Sequence, residues 1–167
     1  MSPSSTLAYQ THNHHQCIDG ALREARKLCQ QHGVRLTEQR ETVLKLVWQS
    51  HQPMGAYDLL EQLPAGRNGR KPAPTTVYRA LDFLREHGLV HRLDSLNAYI
   101  GCPHPGQHHD GVFLICRQCS RVQELSGDAV RQSLQPHLAD QGFSPDDFRM
   151  EVPGICPRCR QQTGATA

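Results

Sequence analysis

Two Cys-x-x-Cys pairs, Cys116/Cys119 and Cys156/Cys159, stand near the C-terminal end of this sequence with residues 120–155 between them. The two-residue gap lets both thiolates of a pair reach one ion from a tight knuckle. Four thiolates at about 2.3 Å close a tetrahedral shell around zinc, leaving no position for chemistry. The interval exceeds the roughly 15–20 residues of short zinc ribbons. It has room for a strand, a helix and a strand, so the ion clips together the ends of a small domain. Two disulfides, a redox Cys-x-x-Cys and a rubredoxin-like iron site compete with this reading; the spacing favours structural zinc.

A chain of 167 residues forms one compact domain or two small ones. Hydrophobic content of 37%, with one Trp, four Tyr and four Phe, is lean and suits two modules, one of them metal-stapled. No apolar run approaches the roughly 18–20 residues that span a bilayer, and no basic-then-apolar leader opens the sequence. Seven cysteines without such a leader point to a reducing compartment, here the cytoplasm. Residues 18–93 carry twelve Lys/Arg against eight Asp/Glu, while the rest of the chain is net acidic. That basic half permits nucleic-acid binding without diagnosing it.

Residues 1–17 are polar, with His12, His14, His15 and Cys17, and read as a disordered tail. From Asp19 the spacing is helical, with Ala21, Leu22, Ala25, Leu28 and Cys29 on one face and a stop at Gly33. Thr37 caps a second helix, although Arg40 stands where a capping box takes Glu or Gln. A short helix spans Ala56–Leu63, and residues 64–74 form a loop rich in Gly, Pro and Arg. The next helix begins at Pro74-Thr75-Thr76 and ends at Gly88. Val77, Ala80, Leu81 and Leu84 face inward; Thr75, Arg79, Asp82 and Glu86 face outward. Leu89–Leu93 and Ala98–Gly101 then read as a hairpin, completing the order of a winged helix-turn-helix. Downstream, strands are expected at 112–115, 121–125 and 148–152, with a helix at 128–139 turning Ala129, Val130, Leu134 and Leu138 inward. Residues from Gln161 onward read as a frayed tail. The fold class is α+β. Its parts are a tail (1–17), a winged helix (18–94), wing end and hinge (95–101) and a metal-binding α/β domain (102–162).

Taken in order, the run Thr75-Thr76-Val77-Tyr78-Arg79-Ala80-Leu81, the hairpin, His91, Cys102, His109 and the two cysteine pairs resemble the ferric uptake regulator family, and within it the zinc-sensing members. The resemblance covers roughly residues 20–160. It implies a homodimeric, metal-dependent repressor that binds palindromic double-stranded DNA, with an N-terminal winged helix and a C-terminal α/β dimerisation domain.

Arg79 is the base-reading candidate, because it projects from the first two turns of the recognition helix and a guanidinium can grip guanine O6 and N7 together. Thr75 and Thr76 can donate to phosphate beside the free N–H groups of the helix start. Tyr78 lies to one side, and the resemblance adds Tyr57. Arg35, Arg67, Arg70, Lys71 and Arg92 supply sequence-blind attraction, unless they are ordinary surface charges.

A sensor also needs a second, exchangeable site. His91, Cys102, His104, His108, His109, Asp110 and Glu124 are the candidates, and the family pattern selects His91, Cys102, His109 and Glu124. The segment from Cys102 to His109 is one residue shorter than in that pattern, which keeps His108 and His104 open as replacements for His109. A thiolate with two imidazoles and a carboxylate suits tetrahedral zinc, whereas iron and manganese sensors lean on nitrogen and oxygen. Two zinc ions per chain follow, one structural and one regulatory, with repression of zinc-acquisition genes as the output. The rivals are the same architecture sensing iron, manganese, nickel or peroxide, a zinc hydrolase built on His91, His109 and Glu124, and a thiol oxidoreductase. The hydrolase lacks a spare carboxylate for a general base. The oxidoreductase calls for a Cys-x-x-Cys at a helix start after a strand.

Overall fold

The computed structural model describes residues 7–9, 13–66, 69–106 and 109–163. The chain divides into two units, Thr11–Gln107, and Met1–Gln10 together with His108–Ala167.

The described residues of the first unit form four helices, α1 (His14–Gln31), α2 (Glu38–Val47), α3 (Ala56–Gln62) and α4 (Pro74–Glu86), followed by strands β1 (Val90–Leu93) and β2 (Ala98–Gly101). Helix α1 starts five residues before the expected Asp19. Asn13 caps it by accepting from the His15 N–H at 3.2 Å, so residues 14–17 are helical and not tail. Thr37 caps α2 by accepting from the Arg40 N–H at 3.4 Å. The Arg40 side chain, unsuited to a capping box, lies 3.6 Å over the Phe83 ring and ties α2 to α4. Proline at the first position of α4 costs no hydrogen bond. At its other end Gly88 takes φ 64°, a left-handed conformation open to glycine at little cost. Val43, Leu44, Val47, Leu59, Val77, Leu81 and Leu84 form the buried centre, with Trp48 packed against it.

Strands β1 and β2 pair antiparallel, with His91 opposite Ile100 and Val90 opposite Gly101. This pairing joins residues that the sequence divided between the winged helix (18–94) and the wing end and hinge (95–101). Gly101 is required by close approach: a Cβ there would lie 2.2 Å from Trp48 Cε2. Gly101→Ala is expected to destabilise this unit by about 1–3 kcal/mol, since the indole must move inside a packed core. A thermal melt should show its midpoint falling by several degrees, and an unchanged midpoint would contradict the packing.

The second unit is a three-stranded sheet ordered β4-β3-β5, from β3 (Gly111–Cys116), β4 (Val122–Ser126) and β5 (Arg149–Gly154). Strands β3 and β4 form an antiparallel hairpin. Strands β3 and β5 run parallel, which requires a crossover, supplied by α5 (Asp128–Asp140). Central strand β3 is buried at all positions but Leu114, as a strand flanked on both sides should be. Two expectations fail here. The apolar stripe of α5 is not buried: Ala129 and Val130 are exposed, and Leu134 and Leu138 only half-buried. Residues 161–163 are helix and not frayed tail, because α6 spans Pro157–Thr163; residues 164–167 lie outside the described residues. Along β5 the alternating face is graded, with Phe148 buried just before the strand, Met150 half-buried and Val152 exposed. A 3-10 turn at Leu7–Tyr9, within the expected tail, belongs to this unit; the Tyr9 hydroxyl donates to the Leu114 carbonyl at 2.6 Å.

Candidate metal centres and nucleic-acid interface

Cys116 ends β3, Cys119 lies in the turn to β4, and Cys156 and Cys159 bracket the start of α6. The four sulfurs all lie within 4.8 Å of one another. Cys119 Sγ and Cys156 Sγ are 3.8 Å apart, the edge of a tetrahedron whose metal–sulfur distance is about 2.3 Å. The knuckle closes through the Ser120 N–H to the Cys116 carbonyl at 2.8 Å, with Ser120 itself at φ 58°. Cys116 Sγ accepts from the Cys156 N–H at 3.4 Å, and Cys156 Sγ from the Cys159 N–H at 3.5 Å. Burial opposes ionisation of Cys116, but backbone N–H groups of Cys156, Cys119 and Gln118 outweigh it and bring the thiol down to about 6. Burial and the neighbouring sulfurs push Cys159 up to about 12. A cation among four such sulfurs resolves that conflict by letting all of them ionise, so the donor set fits zinc.

Tyr9 packs against this cluster, and burial followed by the nearby Cys116 thiolate pushes its phenol up to about 12. Nothing in the sequence linked Tyr9 to cysteines more than a hundred residues away. The pair Cys156/Cys159 does follow a strand and open a helix, the setting assigned above to a redox pair. What separates it from that chemistry is the second pair of sulfurs facing it. Among the described residues none of the cysteines is in a disulfide.

The regulatory candidates fall in both units. In the first, His91 on β1 faces Ile100, and Cys102 lies two residues beyond Ile100 on the same side of the ladder. The ligand atoms of His91 and Cys102 lie within 4.8 Å of each other, and Cys102 is 2% exposed. In the second unit, His109 Nε2 lies 2.6 Å from Glu124 Oε1. His104 is exposed, and His108 lies outside the described residues. Asp110 has a different job: it is buried and accepts from Arg131 Nη1 of α5 at 3.0 and 3.1 Å. The sequence offered no reason to pair Asp110 with Arg131, since the bridge depends on where α5 crosses the sheet.

On α4, Thr75, Tyr78 and Arg79 are exposed and Thr76 is half-buried, while Val77, Ala80, Leu81 and Leu84 are buried. Tyr57, in the first turn of α3, is 71% exposed, far more than an aromatic needs for packing. Arg92 does not stand open for phosphate: it bonds Asn97 Oδ1 at 3.1 Å and lies 3.5 Å from Asp94 in the wing turn. Arg35 and Arg70 are exposed, and Lys71 Nζ donates to the Glu61 carbonyl at 3.4 Å. Arg67 lies outside the described residues.

A winged helix-turn-helix with a polar outward face on its second helix, in one chain with a sheet closed by four cysteines, defines a DNA-binding regulator that carries metal. The chain belongs to the ferric uptake regulator family, whose model matches residues 31–153. It is 39% identical over 139 residues to the zinc uptake regulation protein of Escherichia coli K12, covering 83% of this chain and 80% of that protein. It is similar to a zinc uptake regulator solved in complex with zinc and DNA, at a TM-score of 0.81 and 36% identity over 89% of this chain and 98% of that one. Holo XcZur is similar at a TM-score of 0.76 and 38% identity, covering 86% and 99% of the two chains. The described helices include none long and apolar enough to cross a membrane.

Proposed function

We propose that this chain is a zinc-responsive, sequence-specific repressor of zinc-uptake genes, acting in the cytoplasm as a homodimer with zinc as corepressor and catalysing no reaction. The donor set carries the reading: Cys102 and His91 from the first unit, with His109 and Glu124 from the second. One thiolate, two imidazoles and one carboxylate complete a tetrahedral shell for zinc and leave no place for a substrate. With the cysteine cluster this makes two ions per chain. When bound, zinc supplies charge neutralisation and cross-linking among these side chains. His109 Nε2 and Glu124 Oε1, 2.6 Å apart, would turn to it together.

Because the four ligands come from both units, the ion is held best in one relative arrangement of the two. If that arrangement also sets two recognition helices one helical turn apart on a palindrome, zinc and operator favour the same state. The homodimer is supported by apolar surface that the second unit leaves uncovered: Val130, Phe143, Val152 and Ile155 are 37%, 60%, 39% and 41% exposed. Operator binding titrated across buffered zinc, iron and manganese tests the reading. A response confined to zinc supports it; an equal response to iron or manganese reassigns the signal.

In the duplex-bound state Arg79 reads a base edge, Thr75, Thr76, Tyr78 and Tyr57 position the helix on phosphates, and surface Arg and Lys side chains add attraction. Arg79→Ala is expected to weaken operator binding by about 1–3 kcal/mol while leaving binding to random DNA nearly unchanged. Competition with unrelated duplex measures that ratio; equal losses on both would make Arg79 a phosphate contact.

A further inference from the structure

The polar cluster that opens the chain contains a third set of metal donors. His14 and Cys17 stand three residues apart in the first turns of α1, on one side of the helix. His51 approaches them from the turn after α2. The ligand atoms of His14, Cys17 and His51 all lie within 4.8 Å of one another, and the rings of His14 and His51 meet edge to face with centroids 4.8 Å apart. Donors around one zinc ion are about 3.3–3.8 Å apart, so side-chain rotation alone closes the set.

The backbone fixes this geometry, which is what a loose His-rich tail lacks. The Asn13 cap secures the start of α1, and His14 Nε2 lies 2.6 Å from the Trp48 carbonyl. A carbonyl only accepts, so Nε2 carries the proton and Nδ1 the lone pair. Histidines that ligate metal are oriented in this way, by donating the other N–H to a carbonyl or carboxylate. His14, Cys17 and His51 are each half-buried, so they are sheltered yet reachable from solvent.

We propose that His14, Cys17 and His51 form a further site for a divalent transition-metal ion such as zinc, lying wholly within the winged-helix unit, with one coordination position left to solvent. Such an ion ties the start of α1 to the turn that leads, through Met54, to the backbone pairing with Tyr99 of β2. The site is separate from the cysteine cluster and from the proposed regulatory ligands, and does not depend on them.

The test uses the full chain carrying Cys102→Ser, with zinc in the cysteine cluster, titrated with Co2+ alone. The expected result is one further Co2+ per chain with a thiolate-to-cobalt charge-transfer band. That band should vanish in Cys17→Ser/Cys102→Ser, and affinity should fall by about 10-fold or more in His51→Ala/Cys102→Ser, with circular dichroism unchanged in both. Absence of the band in Cys102→Ser would overturn the proposal. So would a band that survives Cys17→Ser, which would place the cobalt in the cysteine cluster, or an affinity indifferent to His51→Ala, which would leave a lone thiol.

Discussion

Cys116→Ser is expected to unfold the second unit and abolish operator binding, while the amides of α2 and α4 keep their protection in hydrogen exchange. Cys116 ends the central strand of that sheet, and its sulfur receives the Cys156 N–H that helps open α6. Serine removes one of four ligands and replaces an ionisable sulfur by a hydroxyl that stays protonated. Structural zinc in small domains supplies about 10–16 kcal/mol of apparent binding energy near neutral pH. Whole domains are stable by only about 5–15 kcal/mol, so losing the zinc term removes about as much as the entire margin. The sheet has little to compensate with: α5 buries none of its residues. Exchange should become fast across β3, β5 and α6, and zinc content should fall by one per chain. Retained protection in β3 and β5 would show that the sheet stands without the ion.

The parts legible in the sequence were those with local causes. Thr37, Pro74 and Gly88 marked helix ends because caps and left-handed stops act within a few residues. The stripe Val77, Ala80, Leu81 and Leu84 placed the outward face of α4 because helical periodicity is local too. The spacing of the cysteine pairs pointed to one cluster, and their four sulfurs do lie within 4.8 Å of one another. What stayed hidden depended on long-range partners. Residues 14–17 are as polar as a tail but become helix because Asn13 caps them and Ile18 reaches the core. Tyr9 reaches across to Leu114, His51 to His14, and Arg131 to Asp110, none of which has a sequence signature. The stripe on α5 misled in the opposite sense: amphipathic spacing shows that a face wants cover, not that its own chain provides it. Val130 at 37% exposure is that unmet demand, and it is why the pattern supports a second copy.

Cys102→Ser should leave both units folded and remove the response of DNA binding to zinc. Cys102 is buried, and its backbone N–H bonds the Leu89 carbonyl at 3.0 Å, an interaction that serine keeps. The lost sulfur costs packing but no element of the fold. Its effect on the metal is larger, because a serine hydroxyl does not ionise near neutral pH and the softest donor of the set disappears. Coupling between effector and ligand sites is typically about 1–3 kcal/mol, so zinc should tighten operator binding by about 5–150-fold in the wild type and by about onefold in the variant. Linkage makes the effect reciprocal: operator DNA should raise the zinc affinity of the wild type by the same factor and leave the variant unmoved. Fluorescence anisotropy on a labelled operator, run across buffered zinc with and without saturating DNA, measures both halves of the cycle. His109→Ala run beside His104→Ala identifies the second imidazole: His109, already bonded to Glu124, should behave like Cys102→Ser, and exposed His104 like the wild type. A Cys102→Ser protein that still closes the full cycle would remove this thiol from the sensing site, and with it the argument that the sensed metal is zinc.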